Sequence, residues 1–260
     1  MTDHDQFVAY GAEVAREMAS DPNVKALTQS WMETVTKYDY SYHFQWMGRP
    51  IIQFPQDIVA LQEIIWAVKP DLIIETGVAR GGSLVFSASM LALLDFCESV
   101  ASKHLGQGII PRRKVIGIEV DLRKHNREAL EKHELAPWIE IIEGSSIDPS
   151  IVKEVGQVAK DAQKVMVLLD SNHTHSHVIQ ELEAYSAMVS EGSYIIVFDS
   201  IVEDMPDDFY PDRPWGRGNS PKSAIREFLG RNDGFESDTT IENKLLITVC
   251  SGGFLRKISG

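Results

Sequence analysis

Cysteine is scarce. Cys97 and Cys250 are the two in 260 residues, and each sits in an apolar stretch. A disulfide framework is therefore excluded, and a reducing cytoplasm is the expected location. Positive charge is short as well: 25 Lys and Arg stand against 38 Asp and Glu, a formal net charge of −13. That balance argues against broad binding to nucleic acid or anionic membrane. No uncharged apolar run approaches the roughly 18 residues a membrane span needs, so none is expected. The opening Met-Thr-Asp-His-Asp lacks the basic and apolar regions of a signal peptide. Internal repeats and low-complexity tracts are missing too. Two nucleotide signatures are also absent. The glycines are not spaced G-x-G-x-x-G, and no Gly-Lys-Ser/Thr closes a phosphate loop.

What is present centres on Asp71-Leu-Ile-Ile-Glu-Thr-Gly-Val-Ala-Arg-Gly-Gly-Ser83. An apolar run meets Glu75, then Gly77, Gly81 and Gly82, then Ser83 and a long apolar segment over 84–94. The pattern predicts strand, tight turn, helix. Glycines allow close approach of a ligand to the backbone, and the helix start offers free N–H groups. Glu75 at the strand tip would repel a pyrophosphate and would suit a cation or amino group. S-adenosylmethionine, with its sulfonium and ammonium, fits that preference. An ordinary strand-to-helix turn is the plainer reading of the same residues.

The length allows one large α/β domain with an extension. Residues 6–36 carry helical periodicity through Phe7, Tyr10, Val14 and Met18, broken at Asp21-Pro22-Asn23. Residues 37–54 are aromatic-dense with neither helix nor strand period, which suggests a lid or binding loop, or equally a loop that caps the core. Residues 55–68 read as a helix with Pro55 near its start. From 71 onward strands are expected at 71–76, 114–119, 138–143, 164–170 and 193–199. Helices are expected at 82–100, 122–133, 148–160, 175–190 and 220–229. This alternation predicts right-handed crossovers and a parallel sheet. Residues 244–250 and 254–258, joined by Gly252-Gly253, predict a closing antiparallel hairpin. The fold class expected is α/β: a Rossmann-like class I methyltransferase sheet of seven strands, with a helical N-terminal extension. The boundaries drawn are 1–54 for the extension and lid loop and 55–260 for the methyltransferase domain.

Ligands of open α/β sheets gather beyond the carboxyl ends of the strands. The second strand ends at Glu119 and Asp121, either of which can accept ribose hydroxyls; Glu119 is preferred. The third ends in Glu143-Gly-Ser-Ser146, small polar residues able to approach an adenine edge. The fourth ends at Asp170 and runs into Ser171-Asn-His-Thr-His-Ser-His177. Alternate residues of a first helical turn do not share a face, which argues against zinc on His173, His175 and His177. A single imidazole beside Asp170 can take a hydroxyl proton, and His173 lies closest to the strand end. The fifth strand ends at Asp199. If it neighbours the fourth, Asp170 and Asp199 converge as hard donors for Mg²⁺ or Ca²⁺; otherwise one Asp merely caps a helix. Residues 201–219, rich in Pro, Asp, Gly and Arg, read as a substrate-side loop.

Five stretches resemble the cephalosporin hydroxylase/rhamnosyl O-methyltransferase family of class I S-adenosylmethionine enzymes. They are 42–57, 74–83, 115–121, 143–146 and 169–177, within a likeness spanning roughly 40–230. The resemblance implies methyl transfer to a hydroxyl of a sugar or natural-product acceptor. It implies that Glu75, Gly77 and Ser83 line the methionine part of the cofactor, with Arg80 of the same turn among the cofactor contacts. Glu119 would hold the ribose, and Ser146 would sit by the adenine. Asp170 would contact the cofactor and bind magnesium, and His173 would be the general base. The family usually places a Glu-Asp pair at the end of the fifth strand. Here the pair is Phe198-Asp199, so Asp199 keeps the ligand role and Ser200 is the substitute oxygen donor.

The expected function is thus a metal-assisted, S-adenosylmethionine-dependent O-methyltransferase. One rival is a monooxygenase-like tailoring enzyme, which would need iron or flavin. Another is a non-catalytic cofactor-binding subunit. The helical N-terminus offers a surface either for its own sheet or for a homo-oligomer.

Overall fold

The computed structural model describes residues 2–103 and 108–259. Two helices open the chain, α1 (Asp3–Ser20) and α2 (Pro22–Thr36). Asp21 separates them: its carboxylate accepts from the Asn23 N–H, and Pro22 starts the new helix where no N–H is needed. A 3₁₀ turn (Tyr40–His43) and a small hairpin, β1 (Gln45–Trp46) with β2 (Arg49–Pro50), follow. Then come α3 (Pro55–Val68), β3 (Leu72–Thr76), α4 (Gly82–Ala101), β4 (Lys114–Glu119), α5 (Lys124–Glu131), β5 (Ile139–Glu143) and α6 (Pro149–Ala159). The second half is β6 (Val165–Leu169), α7 (His175–Tyr185), β7 (Tyr194–Val197), α8 (Pro221–Leu229), β8 (Phe235–Ser237), α9 (Thr239–Leu245) and β9 (Phe254–Lys257).

Seven strands form one sheet in the order β5-β4-β3-β6-β7-β9-β8. Strands β3 to β7 pair in parallel. Strand β9 runs antiparallel to both β7 and β8. The strand order turns back between β3 and β6, so a crevice opens beyond their carboxyl ends. Strand alternation divides the core into two layers. Ile73, Val115, Met166 and Ile196 pack with α3 and α4. Leu72, Ile74, Ile116, Val167 and Ile195 pack with α6, α7 and α8 on the other face. Glu75 has the parity of Ile73, which turns it toward α4.

Helix α4 is long and apolar enough, by length and composition, to cross a membrane, and half of that window is buried inside the protein. Its buried Asp95 accepts from Arg113 at 2.6 Å and from the Trp138 indole at 2.8 Å.

The expected strand over 244–250 does not form. The penultimate strand is β8, and α9 takes residues up to Leu245. The β-branched run Ile247-Thr-Val249 looked like sheet, but a buried carboxylate satisfies it instead. Asp57 of α3 accepts from the Thr248 hydroxyl at 2.5 Å and the Val249 N–H at 2.9 Å. The Val249 carbonyl then accepts from Ile201 N and Ser200 Oγ. The antiparallel pair at the sheet edge is therefore β8 with β9, separated by a helix rather than by a glycine turn.

Candidate active site

The turn after β3 is built by contacts only glycine permits. Gly77 has φ +85°, and a Cβ there would lie 2.2 Å from the Asp170 carbonyl oxygen. A Cβ on Gly82 would lie 2.1 Å from the Pro50 carbonyl oxygen. The aromatic segment is thus pressed directly onto the turn. Arg49 fastens it by donating to the Arg80 carbonyl at 3.0 Å through Nε and to Asn126 Oδ1 at 2.9 Å. Trp46 donates to Ser89 Oγ at 3.0 Å and packs edge-on against Phe86.

Glu75 is buried behind this turn. One carboxylate oxygen accepts from Ser83 Oγ at 2.5 Å and the other from Ser87 Oγ at 3.2 Å. Burial pushes its pKa up to about 7, against the pull of the two serine hydroxyls. Glu119, at the end of β4, accepts from the N–H groups of Val78 at 2.9 Å and Ala79 at 3.0 Å. It lines a side cleft with Arg80, Asp121 and Arg123.

Beyond β6 and β7 the structure gathers Asp170, His173 and Asp199. One ligand atom from each lies within 4.8 Å of the others. His173 Nε2 is 3.2 Å from Asp199 Oδ2, and the Trp215 ring stands edge-on to the imidazole with centroids 4.9 Å apart. Gln53 Nε2 donates to Asp170 Oδ2 at 3.1 Å. The Asp170 carboxyl is held well above the ordinary carboxylate range, first by burial and then by the negative charges of Asp199, Glu75 and Glu181. Two carboxylates and one imidazole nitrogen make an oxygen-rich set that suits a divalent cation, which would also relieve their mutual repulsion.

Two cavities meet here. The smaller, about 260 Å³, runs over Gly77, Arg80, Ser83, Gln53 and Asp170. The larger, about 650 Å³, is walled by Tyr40, Phe209, Tyr210, Arg213 and Trp215. Both include Ser41, Tyr42, His173 and Asp199. The aromatic segment over 37–54 and the loop over 201–219 both contribute to the larger cavity.

The other expected site residues lie elsewhere. Ser200 is fully buried, and its hydroxyl donates to the Val249 carbonyl at 3.2 Å, away from both cavities. Ser146 is buried, with its hydroxyl 3.1 Å from His177 Nε2 and its carbonyl bonded to the Tyr185 hydroxyl. The three histidines point in three directions. His175 contacts Ser223 Oγ and Glu227, each at 2.8 Å. His177 turns to Ser146 and Ser171, each at 3.1 Å. Among the described residues, only His173 joins the carboxylates, so neither a zinc string nor a two-histidine iron set forms. Phe198 is 3% exposed and fills the core on the α3 and α4 side.

Sequence reasoning missed Gln53 and Trp215. Gln53 lies within an aromatic-dense stretch, and its partner Asp170 is 117 residues away. Trp215 is the lone tryptophan in the acidic loop over 201–219, the one sequence signal that marks it.

The strand order β5-β4-β3-β6-β7-β9-β8, with a crevice holding carboxylates beside a glycine turn, defines the class I methyltransferase fold. The sequence pattern of the rhamnosyl O-methyltransferase/CmcI family matches residues 38–258. The chain belongs to that family and is by family an O-methyltransferase. A rhamnosyl O-methyltransferase of Mycobacterium leprae (strain TN) is 27% identical over 211 residues, covering 81% of each chain. One from Mycobacterium tuberculosis (strain ATCC 25618 / H37Rv) is 28% identical over 214 residues, 81% of this chain and 76% of the relative. A solved CmcI structure described as an SAH complex aligns with TM-score 0.53 at 18% identity, over 83% of both chains. Another, described as Mg-SAM, aligns with TM-score 0.53 at 20% identity, over 85% of this chain and 78% of that one. At these identities the structural likeness speaks to the fold.

Proposed function

We propose that the chain methylates a hydroxyl of a sugar or sugar-bearing natural product, using S-adenosylmethionine and a divalent cation such as Mg²⁺. The observation that carries this reading is the meeting of two cavities at His173 and Asp199. The smaller lies on the glycine turn, where a methyl donor would bind. The larger has aromatic walls and charged side chains, a lining suited to the faces and hydroxyls of a sugar. The relatives named rhamnosyl O-methyltransferase support a sugar hydroxyl as acceptor. Residues 1–54 act in this reading as an extension whose aromatic segment covers the acceptor, and residues 55–260 form the methyltransferase domain.

Asp170 and Asp199 would hold the cation, with His173 at its edge. A bound cation would stabilise a deprotonated acceptor oxygen and offset the carboxylate repulsion. His173 receives the acceptor proton, and Trp215 and Asp199 keep its ring in place. The acceptor oxygen forms the new O–CH₃ bond as the S–CH₃ bond breaks. Ser83 and the backbone at Gly77 position the donor, and Glu119 is the ribose partner, exchanging its turn amides for hydroxyls. Holding the two reactants at one junction supplies much of the rate.

The test is incubation with methyl-labelled S-adenosylmethionine, Mg²⁺ and a panel of rhamnosyl acceptors. Chelator-sensitive label transfer is expected. Failure to bind S-adenosylhomocysteine by calorimetry would reject the reading, and binding without transfer to any acceptor would favour a non-catalytic subunit.

A further inference from the structure

Gln53 adjoins Asp170, and the proposed reaction leaves its amide unused. It is 2% exposed and lies on the wall of the smaller cavity. It has little freedom to move. Ile51 and Phe54 on either side are buried in the core, and Pro55 begins α3 immediately after. Its amide nitrogen is committed to Asp170 Oδ2 at 3.1 Å. Its amide oxygen Oε1 is shut off from solvent and has no hydrogen-bond partner in the protein. The nitrogen thus faces Asp170, and the oxygen is the free end.

Buried acceptors without a donor are rare and costly, and each calls for an explanation. Among the described residues with such an orphaned side-chain atom, Gln53 alone lines either of the two cavities at the junction. The residue type is also informative. Leucine or methionine would fill the space but lose both polar roles. Glutamate would add another negative charge beside Asp170, which already faces Asp199, Glu75 and Glu181. Only an amide holds Asp170 by its donor and keeps an acceptor open.

We propose that Gln53 binds and positions the reactants: Oε1 accepts a hydrogen bond from a cation-borne donor, while Nε2 fixes the Asp170 carboxylate. Resting on the function proposed above, the donor has two sources. It is the α-ammonium of the methyl donor or a water molecule carried by the divalent cation. Both present a positively polarised N–H or O–H at this depth.

The test is calorimetry on the full chain, with wild type, Gln53→Met and Gln53→Glu. Three probes are used: S-adenosylhomocysteine without metal, its analogue lacking the α-amino group, and Mn²⁺ without nucleoside. Loss of a hydrogen bond to a charged group weakens binding by roughly tenfold. The ammonium source predicts that loss for S-adenosylhomocysteine in Gln53→Met, with the deaminated analogue unchanged. The water source predicts it for Mn²⁺ instead. Gln53→Glu keeps an acceptor oxygen but loses the donor to Asp170, so it is expected to bind the affected probe more tightly than Gln53→Met does. Unchanged affinity for S-adenosylhomocysteine and Mn²⁺ in Gln53→Met overturns the proposal. Equal weakening toward both nucleosides also overturns it, because that marks a purely structural role. If Gln53→Met does not fold, Gln53→Glu decides: equal weakening toward S-adenosylhomocysteine, its deaminated analogue and Mn²⁺ overturns the proposal. A wild-type protein that binds none of the probes rejects the methyltransferase site itself, a distinct result.

Discussion

His173 Nε2 lies 3.2 Å from Asp199 Oδ2, so the proposed proton acceptor and one carboxylate of the proposed cation set are already in contact. The Trp215 ring stands edge-on to the imidazole from the other side. The imidazole is therefore oriented before any reactant arrives. His173→Ala should lower kcat by roughly 10²- to 10⁴-fold, the usual contribution of a positioned base. Affinity for S-adenosylhomocysteine should stay as in wild type, since His173 reaches only the shared end of the smaller cavity. Steady-state kinetics with parallel calorimetry checks both. An unchanged kcat would remove His173 from proton transfer.

Asp170 and Asp199 repel one another, and burial of Asp170 makes that repulsion expensive. Asp170→Asn should therefore raise thermal stability in chelator while abolishing methyl transfer. Added Mg²⁺ should stabilise wild type by mass action and leave the variant unmoved. Melting curves with chelator and with Mg²⁺ give the comparison. Equal Mg²⁺ stabilisation of the two proteins would place the cation elsewhere. Asp170→Ala should likewise abolish turnover while retaining binding of S-adenosylhomocysteine.

Much of this arrangement was legible in the sequence because it follows from periodicity and strand ends. The parallel core strands, the glycine turn and the convergence of Asp170 with Asp199 each follow from where a buried run stops. What was not legible depends on contacts across long separations. Ile247-Thr-Val249 has strand-like residues, yet Asp57, almost 200 positions earlier, takes its polar groups. Ser200 follows Asp199 directly, but the left-handed backbone at Asp199, φ 51°, begins a 3₁₀ turn that sends the serine hydroxyl to Val249. The three histidines look alike in sequence. Only the start of α7 at His175 separates His173, still in the loop, from two residues bonded to neighbouring elements.

Gly77 joins the two halves of the site, because its backbone touches that of Asp170. Gly77→Ala would need φ +85° and a Cβ 2.2 Å from the Asp170 carbonyl oxygen. Neither the strain nor the backbone collision can be relieved by a side-chain rotation. The variant should unfold at lower urea than wild type. The part that folds should lose S-adenosylhomocysteine affinity and Mg²⁺ stabilisation together. Loss of nucleoside binding with the Mg²⁺ response intact would show that the turn and the cation site are independent.

Glu75, proposed to favour the donor's positive end, carries a pH-dependent cost in stability. Its carboxyl is raised from the ordinary 4.5 to about 7, chiefly by burial. Between those values the folded protein holds a proton that the unfolded chain has released. Stability from this group is thus fully present below about pH 4.5 and is lost as pH rises through about 7. A shift of that size corresponds to at most about 3 kcal/mol at alkaline pH. Glu75→Gln keeps an amide oxygen for Ser83 and removes the titration. Asp57, also raised to about 7, titrates in both proteins and cancels, while relief of Asp170, which the Glu75 charge also raises, adds to the variant's gain in the same direction. Urea unfolding at pH 4, 6 and 8 should show the variant gaining on wild type as pH increases. A difference that does not change with pH would mean the carboxyl is not buried as a neutral acid. Above about pH 7, where the carboxyl is ionised, the same variant should bind S-adenosylhomocysteine more weakly, because it removes the negative charge behind Ser83 that favours an ammonium. Wild-type affinity in Glu75→Gln would confine Glu75 to the fold and leave the donor's positive end to other groups on the smaller cavity.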